Sequence, residues 1–335
     1  MILMTDSTDL IPSYPHNAIV DPEHLARLLN TPLPKLKAIA ESASASYRPV
    51  PQKKKDDSPR MTYDAHPELK RVQHQIVQKI LHKVRFPRYL HGGIKDTEFP
   101  RDHVSNAALH TGAAILILDD IADFYPSLDR KLVFTVWLRF FGFSPEVAEL
   151  LTKLTTRKGS IPQGAKTSSY LANLAFWDRE AQLVKDLRSM GLTYSRFVDD
   201  VACSSRHRVP DSTIGEARAK VYRMLTSKGC RPKRSKSQVR RKGQKRSLEV
   251  TGLVTGGRYP AISRGERNRI RSAVRHLEKV VNEEGMTPEN RKAWDSVKGR
   301  VGRLVRLKHA EGRRLSQRLD ALLQTSPLAH RVDNQ

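Results

Sequence analysis

Residues 192–203 read LTYSRFVDDVAC. β-Branched, aromatic and small residues alternate on both sides of Asp199-Asp200, the pattern of a short β-hairpin with the two acids at its tip. Adjacent carboxylates repel unless solvent or a cation offsets their charge. Asp-Asp is also a common solvated turn pair, so this stretch alone leaves both readings open. Residues 113–125, AAILILDDIADFY, narrow the choice. An apolar run ending abruptly in Asp119 and Asp120 is what a buried strand looks like, with its last residues at a sheet edge facing a cleft. With that strand beside the hairpin, Asp120, Asp199 and Asp200 converge. Three convergent carboxylates make the oxygen-rich setting that Mg²⁺ demands, and two such ions serve in-line displacement at phosphorus.

The rest of the chain is strongly basic, with 60 Lys and Arg against 35 Asp and Glu in 335 residues and a formal charge of +25. Such an excess favours a polyanionic partner bound with release of counterions. No long apolar span offers a membrane as the rival partner. Met1-Ile2-Leu3-Met4 is too short for a signal-peptide core. Two cysteines, Cys203 and Cys230, give neither a disulfide framework nor zinc spacing. A cytoplasmic setting is expected.

Along the chain, Asp21-Pro22-Glu23 opens a short helix carrying Leu25, Leu28 and Leu29, and Leu36 and Ile39 suggest a second. Tyr47 to Arg60 is a charged, Pro-punctuated hairpin candidate. Leu69, Val72, Ile76 and Ile80 follow at helical spacing. Ser127 is expected to cap a helix with Leu132, Val133, Val136 and Phe140, and Ser144-Pro145-Glu146 to open the next. Asp119 and Asp123 read as supports for the ligands or as solvent-facing. Arg231 to Arg246 holds nine basic residues and no acid. Its mid-domain position favours phosphate contact over a solvated tail. From Arg264 onward three amphipathic helices, the second opened by Thr287-Pro288, present basic outer faces (Arg267, Arg271, Arg303) suited to duplex backbone.

DDIADFYPSL (119–128), GSIPQGAKTSSYLANL (159–174) and RFVDDV (196–201) closely resemble, in order and spacing, palm motifs A, B and C of reverse transcriptases. Asn106-Ala107-Ala108-Leu109-His110 fits an NAxxH pattern and Val250-Thr251-Gly252 a VTG pattern. Together they resemble a bacterial retron reverse transcriptase over most of the chain. The resemblance implies an α+β, right-hand polymerase. Its parts are an N-terminal helical leader (1–46), fingers (47–112), a palm with part of the fingers (113–256, the latter about 145–165) and a helical thumb with a C-terminal tail (257–335). It makes Asp120, Asp199 and Asp200 catalytic and, with the carbonyl of Ile121, ligands of two Mg²⁺ ions. Arg60 and a neighbouring lysine, Lys55 among them, hold the triphosphate. Tyr125 lies under the nucleotide sugar and excludes ribonucleotides, Gln163 contacts the nascent pair, and Lys236 protonates pyrophosphate. Asn106, His110, Arg240, Arg241, Val250, Thr251, Gly252, Arg267, Arg271 and Arg303 fall to RNA, with a structural role for Asn106 and His110 equally open. Three departures from the pattern stand out. Phe197-Val198 replaces Tyr-Ala, Ser169-Tyr170 replaces Ser-Pro, and Gly93 stands where an aromatic is usual.

The implied activity is RNA-directed DNA synthesis on a cognate structured non-coding RNA. That RNA serves as template and as primer through a guanosine 2′-OH, dNTPs are consumed, and the product is a branched RNA–DNA hybrid. An effector protein and antiphage defence belong to the same implication. Two rivals remain at this stage: a bacterial reverse transcriptase without branched priming, and an RNA-binding scaffold with a vestigial site.

Overall fold

The computed structural model describes residues 10–53, 57, 59–244 and 246–324. In chain order, helices α1 (Pro22–Leu28) and α2 (Leu33–Ser42) precede the hairpin β1 (Tyr47–Lys53) and β2 (Pro59–Ala65), then α3 (Pro67–Lys79), the short strand β3 (Leu90–His91) and α4 (His103–Ala108). Strand β4 (Ile115–Ala122) leads into α5 (Phe124–Ser127), α6 (Arg130–Thr135), α7 (Pro145–Thr155), α8 (Ser168–Asn173) and α9 (Glu180–Ser189). The hairpin β5 (Thr193–Phe197) and β6 (Asp200–Ser205) is followed by α10 (Asp211–Thr226), β7 (Arg231–Pro232), β8 (Gln238–Arg241), β9 (Glu249–Val250) and β10 (Leu253–Val254). Helices α11 (Arg264–Glu284), α12 (Pro288–Arg306) and α13 (Ala310–Gln324) close the chain.

The central sheet runs β3-β5-β6-β4-β7, with β8 also paired to β4. All pairs are antiparallel except β3 with β5. Alternation along β4 feeds two cores, because successive strand side chains point to opposite faces. Ile115, Ile117 and Ile121 join the larger core, shared with α1 to α3 and α5 to α10, while Leu116 joins a second core with α4 and α11 to α13. In that second core the stripe Ile270, Val274, Leu277 and Val281 meets Val301, Leu304, Leu315 and Leu319. Each such side chain stabilises the fold by about 1.5–3 kcal/mol when fully buried.

One expectation is corrected. The residue that caps α6 is Asp129, whose carboxylate accepts from the Leu132 amide at 2.8 Å, while the Ser127 hydroxyl donates back to the Phe124 carbonyl. The leader helices pack on the rest of the fold. Leu25, Leu29, Leu36 and Ile39 are buried in the same core as α3 and α7. A helix as short as α1 gains its stability from such packing rather than from propensity.

Candidate active site

Strand register fixes the acids. Asp120 on β4 lies opposite Asp200 on β6, and the Ile121 amide donates to the Asp199 carbonyl at 2.9 Å. Between the hairpin strands, Val198 has φ +57, in the left-handed region that β-branched side chains avoid. Its amide donates to the His91 carbonyl at 3.1 Å and its carbonyl accepts from Arg196 at 3.0 Å. Arg196 (0 % exposed) is bound by Glu180 (1 % exposed) through its Nε at 2.7 Å and a terminal nitrogen at 2.8 Å. The Tyr194 hydroxyl also donates to Glu180, at 2.6 Å. A buried, fully hydrogen-bonded ion pair therefore holds the turn that carries Asp199. The usual aromatic-alanine pair of this turn is Phe197-Val198, and Gly92 makes room for both. A Cβ on Gly92 would come within 2.8 Å of each side chain, and its φ of +81 disfavours any other residue.

Charge is concentrated here. Burial, and then the neighbouring charge of Asp120, push the Asp199 carboxyl above the usual range, while Arg60 and Lys236 pull it down. The Lys236 ammonium rests against the Asp120 carboxylate, and that contact raises its own pKa. Asp119 is not solvent-facing. It is buried and accepts from Ser237 at 2.6 Å and Tyr222 at 2.8 Å, with Arg218 at 3.6 Å, so it ties α10 to the segment bearing Lys236. Among the described residues, no three His, Cys, Asp or Glu side chains are gathered tightly enough to hold a metal ion. The donor set beside Asp120 is nevertheless all oxygen, and a cation already compensates it. Both properties fit a hard divalent ion.

These electrostatics predict a pH effect. Lys236→Met removes a charge that lowers the Asp199 pKa, so the acid limb of the rate–pH profile moves to higher pH. An unshifted limb in single-turnover nucleotide addition would separate Lys236 from the acids.

A cavity of about 550 Å³ opens between the β1–β2 hairpin and the loop before α8, lined by Tyr63, Tyr125, Gln163, Gly164 and Ser169. The Tyr125 hydroxyl meets that of Ser169 at 3.2 Å. Gly93, the missing aromatic, abuts Ser169 so closely that any Cβ would collide with it. The Gln163 carbonyl accepts from the Tyr63 amide at 2.8 Å, joining the fingers hairpin to the loop before α8. Arg60, exposed on β2, is close enough to influence the ionisation of both Tyr125 and Asp199. Lys55 lies outside the described residues.

The RNA candidates divide. Asn106, Val250, Thr251 and Gly252 line a 240 Å³ cavity together with Asp120, Asp200 and Lys236. Thr251 donates to the His103 carbonyl at 2.9 Å, and Arg303 reaches the Gly252 carbonyl at 3.5 Å. For His110 the structural alternative takes the place of the RNA contact. It is 1 % exposed, with Nδ1 2.8 Å from the Ser204 hydroxyl and Nε2 2.7 Å from that of Ser195, so both ring nitrogens are occupied within the protein. Burial drives its pKa down to about 3, and the neutral ring clasps both strands of the β5–β6 hairpin. Five arginines have partners within the protein: Arg240 with Gln238 and Glu249, Arg241 with Asp211, Arg267 with His309, Arg271 with Glu311 and Arg303 with Glu266. No local pattern in the sequence marks Glu180, Arg196 or Asn173, whose side-chain amide donates to the Gly92 carbonyl at 3.0 Å and whose own carbonyl accepts from Arg196 at 3.0 Å. Only the proximity of Arg196 to the acids hinted at a role.

The family described as reverse transcriptase (RNA-dependent DNA polymerase) matches residues 52–255. The retron Se72 reverse transcriptase of Salmonella heidelberg is 32% identical over 302 residues, covering 90% of this chain and 79% of that protein. The chain belongs to the retron-type reverse transcriptases. The retron Ec48 enzyme of Escherichia coli is 28% identical over 90% of this chain and 75% of its own length. The retron Ec86 enzyme of the same organism is 29% identical over 72% and 73%. As a member of this family the protein is an RNA-directed DNA polymerase with a right-hand fold, its template is RNA, and the family's chemistry uses divalent metal. No described helix is long and apolar enough to cross a membrane.

Proposed function

We propose that this polymerase copies part of a cognate structured RNA into DNA, starting from a guanosine 2′-OH of that RNA and leaving a branched RNA–DNA product. Asp120, Asp199 and Asp200, with the Ile121 carbonyl, are the groups to hold two Mg²⁺ ions. When bound, the ions supply charge neutralisation at the attacking hydroxyl and at the triphosphate. The observation that carries the reading is the pairing of Asp120 with Asp200 across β4 and β6 while Ile121 is bonded to Asp199. Lys236, which rests against Asp120, would donate a proton to departing pyrophosphate, and Arg60 would bind its oxygens as a planar fork. Asn106 and the Val250–Gly252 turn, which share a cavity with Asp120 and Asp200, would meet the RNA that carries the attacking hydroxyl. The basic palm and thumb arginines can exchange internal partners for phosphates. The setting is the bacterial cytoplasm, and an antiphage role with an effector protein is part of the same proposal.

Sequencing the nucleic acid that copurifies with the protein tests this. DNA joined to an internal guanosine of one RNA is expected; DNA with a free 5′ end throughout would rule out branched priming. Tyr125 gives a second test. Its ring, held by Ser169, lines the nucleotide cavity and would clash with a 2′-OH. Tyr125→Ala should therefore improve ribonucleotide incorporation on the order of 10²-fold relative to dNTP, about 3 kcal/mol of discrimination. Unchanged discrimination in competition assays would make Tyr125 a packing residue only.

A further inference from the structure

A third, larger cavity of about 740 Å³ has none of the three acids in its lining and shares no lining residue with the other two cavities. One wall is the segment after α3, residues 82–88, and the other is residues 95–101. Arg101 builds it. Its guanidinium is buried and donates to the carbonyls of Phe86 and Pro87, both at 2.6 Å, and to Asp96 at 2.6 and 2.9 Å, folding the second wall back over the first. Asp96 is consumed by that bond and by the amides of Glu98 and Phe99. The leader contributes His16 to the lining and is stitched to the first wall by the Ser13–Arg85 backbone pair at 2.9 and 3.1 Å.

What remains is a cavity into which Lys83, Arg85, Arg88 and Lys95 converge, with Glu98 as the one uncommitted acid in its lining. All four cations are exposed, and none has a carboxylate partner among the described residues. The arginines of the palm and thumb cited above differ in this respect: Arg240, Arg241, Arg271 and Arg303 are each paired with an acid. Uncompensated like charges gathered in a concave site raise the local potential for an anion. Phe99 does not serve as a base platform, because Arg88 and Arg101 each lie 5.2 Å from its ring centroid. Phe86 is buried, and the His16 and His82 rings already lie against Tyr14 and Tyr170, so the lining offers phosphate-binding groups ahead of stacking surface.

We infer that this cavity binds the sugar–phosphate backbone of single-stranded RNA, independently of base sequence, as a second contact remote from the polymerase centre. The inference rests on the reading that RNA is the protein's partner. The shared chemistry is phosphate oxyanion, whose sources are an RNA strand or a small free phosphate.

The test uses the full chain carrying Arg85→Gln, Arg88→Gln and Lys95→Gln, and a short fluorescein-labelled oligouridylate as probe. Removing three phosphate contacts should reduce the slope of log K against log salt by about 2 and weaken binding roughly tenfold or more near physiological salt. Lys95→Gln alone should lower the slope by about 0.7. Nucleotide addition at saturating poly(rA)·oligo(dT) should keep its rate. An unchanged slope in the triple variant overturns the inference. So does displacement of the probe from the unsubstituted protein by inorganic phosphate at matched ionic strength, which would mark a free-anion site. Asp199→Ala serves as the separate control: if it keeps polymerase activity, the polymerase reading of the acids fails while the salt slopes still decide this one.

Discussion

Alanine at both Asp199 and Asp200 lowers DNA synthesis by on the order of 10³-fold or more, since several kcal/mol of charge stabilisation at the reacting phosphate depend on those carboxylates. RNA affinity should stay within about twofold, because the backbone contacts that dominate it lie on basic groups elsewhere. The folded protein should not suffer. The Asp199 carboxyl titrates above its ordinary range in the fold, so its contribution favours the folded state at low pH and is lost as pH rises through that folded value. At neutral pH the ionised group is a burden on stability, and Asp199→Asn alone should raise Tm slightly while silencing synthesis. Single-turnover nucleotide addition and thermal melting decide together. Retained synthesis would mean that the acids are misassigned, and a large fall in Tm would mean that they serve the fold.

The second large effect lies one layer below. Glu180→Ala leaves the Arg196 charge buried without its partner, a change that costs about 3–5 kcal/mol and lowers Tm on the order of 5–10 °C. Replacing both members by apolar residues, Glu180→Leu with Arg196→Met, should recover most of that stability, because two desolvated charges are removed together. Synthesis should not recover with it. Arg196 is the donor to the Val198 carbonyl, and without that bond the strained turn before Asp199 is free to relax. A double variant with restored Tm and restored rate would show that the pair serves stability alone.

Much of this site was readable from local pattern. Alternation marked the hairpin of β5 and β6, an apolar run marked β4, and Ser144-Pro145 and Thr287-Pro288 marked true helix starts. Each of these signals is confined to a few consecutive residues. What escaped involves distance along the chain. Glu180 and Arg196 are 16 residues apart with no periodic relation, and the Asp119–Ser237 bond spans 118. Asp119 was open between a support and a solvent-facing acid, and alternation along β4 decides it by turning the side chain to the face of α10. His110 was equally open between a structural role and RNA until its two serine partners, contributed by separate strands, were in place.

The division of β4 between two cores bears on how the enzyme can be dissected. Leu116 and Ala202 look away from the main core and are roofed, with Leu248 and Val250, by α11 to α13. A chain truncated after the palm would leave that hydrocarbon underside bare to water, an adhesive patch rather than a minimal catalytic unit. The helices proposed to grip nucleic acid are also the waterproofing of the sheet that bears Asp120 and Asp200.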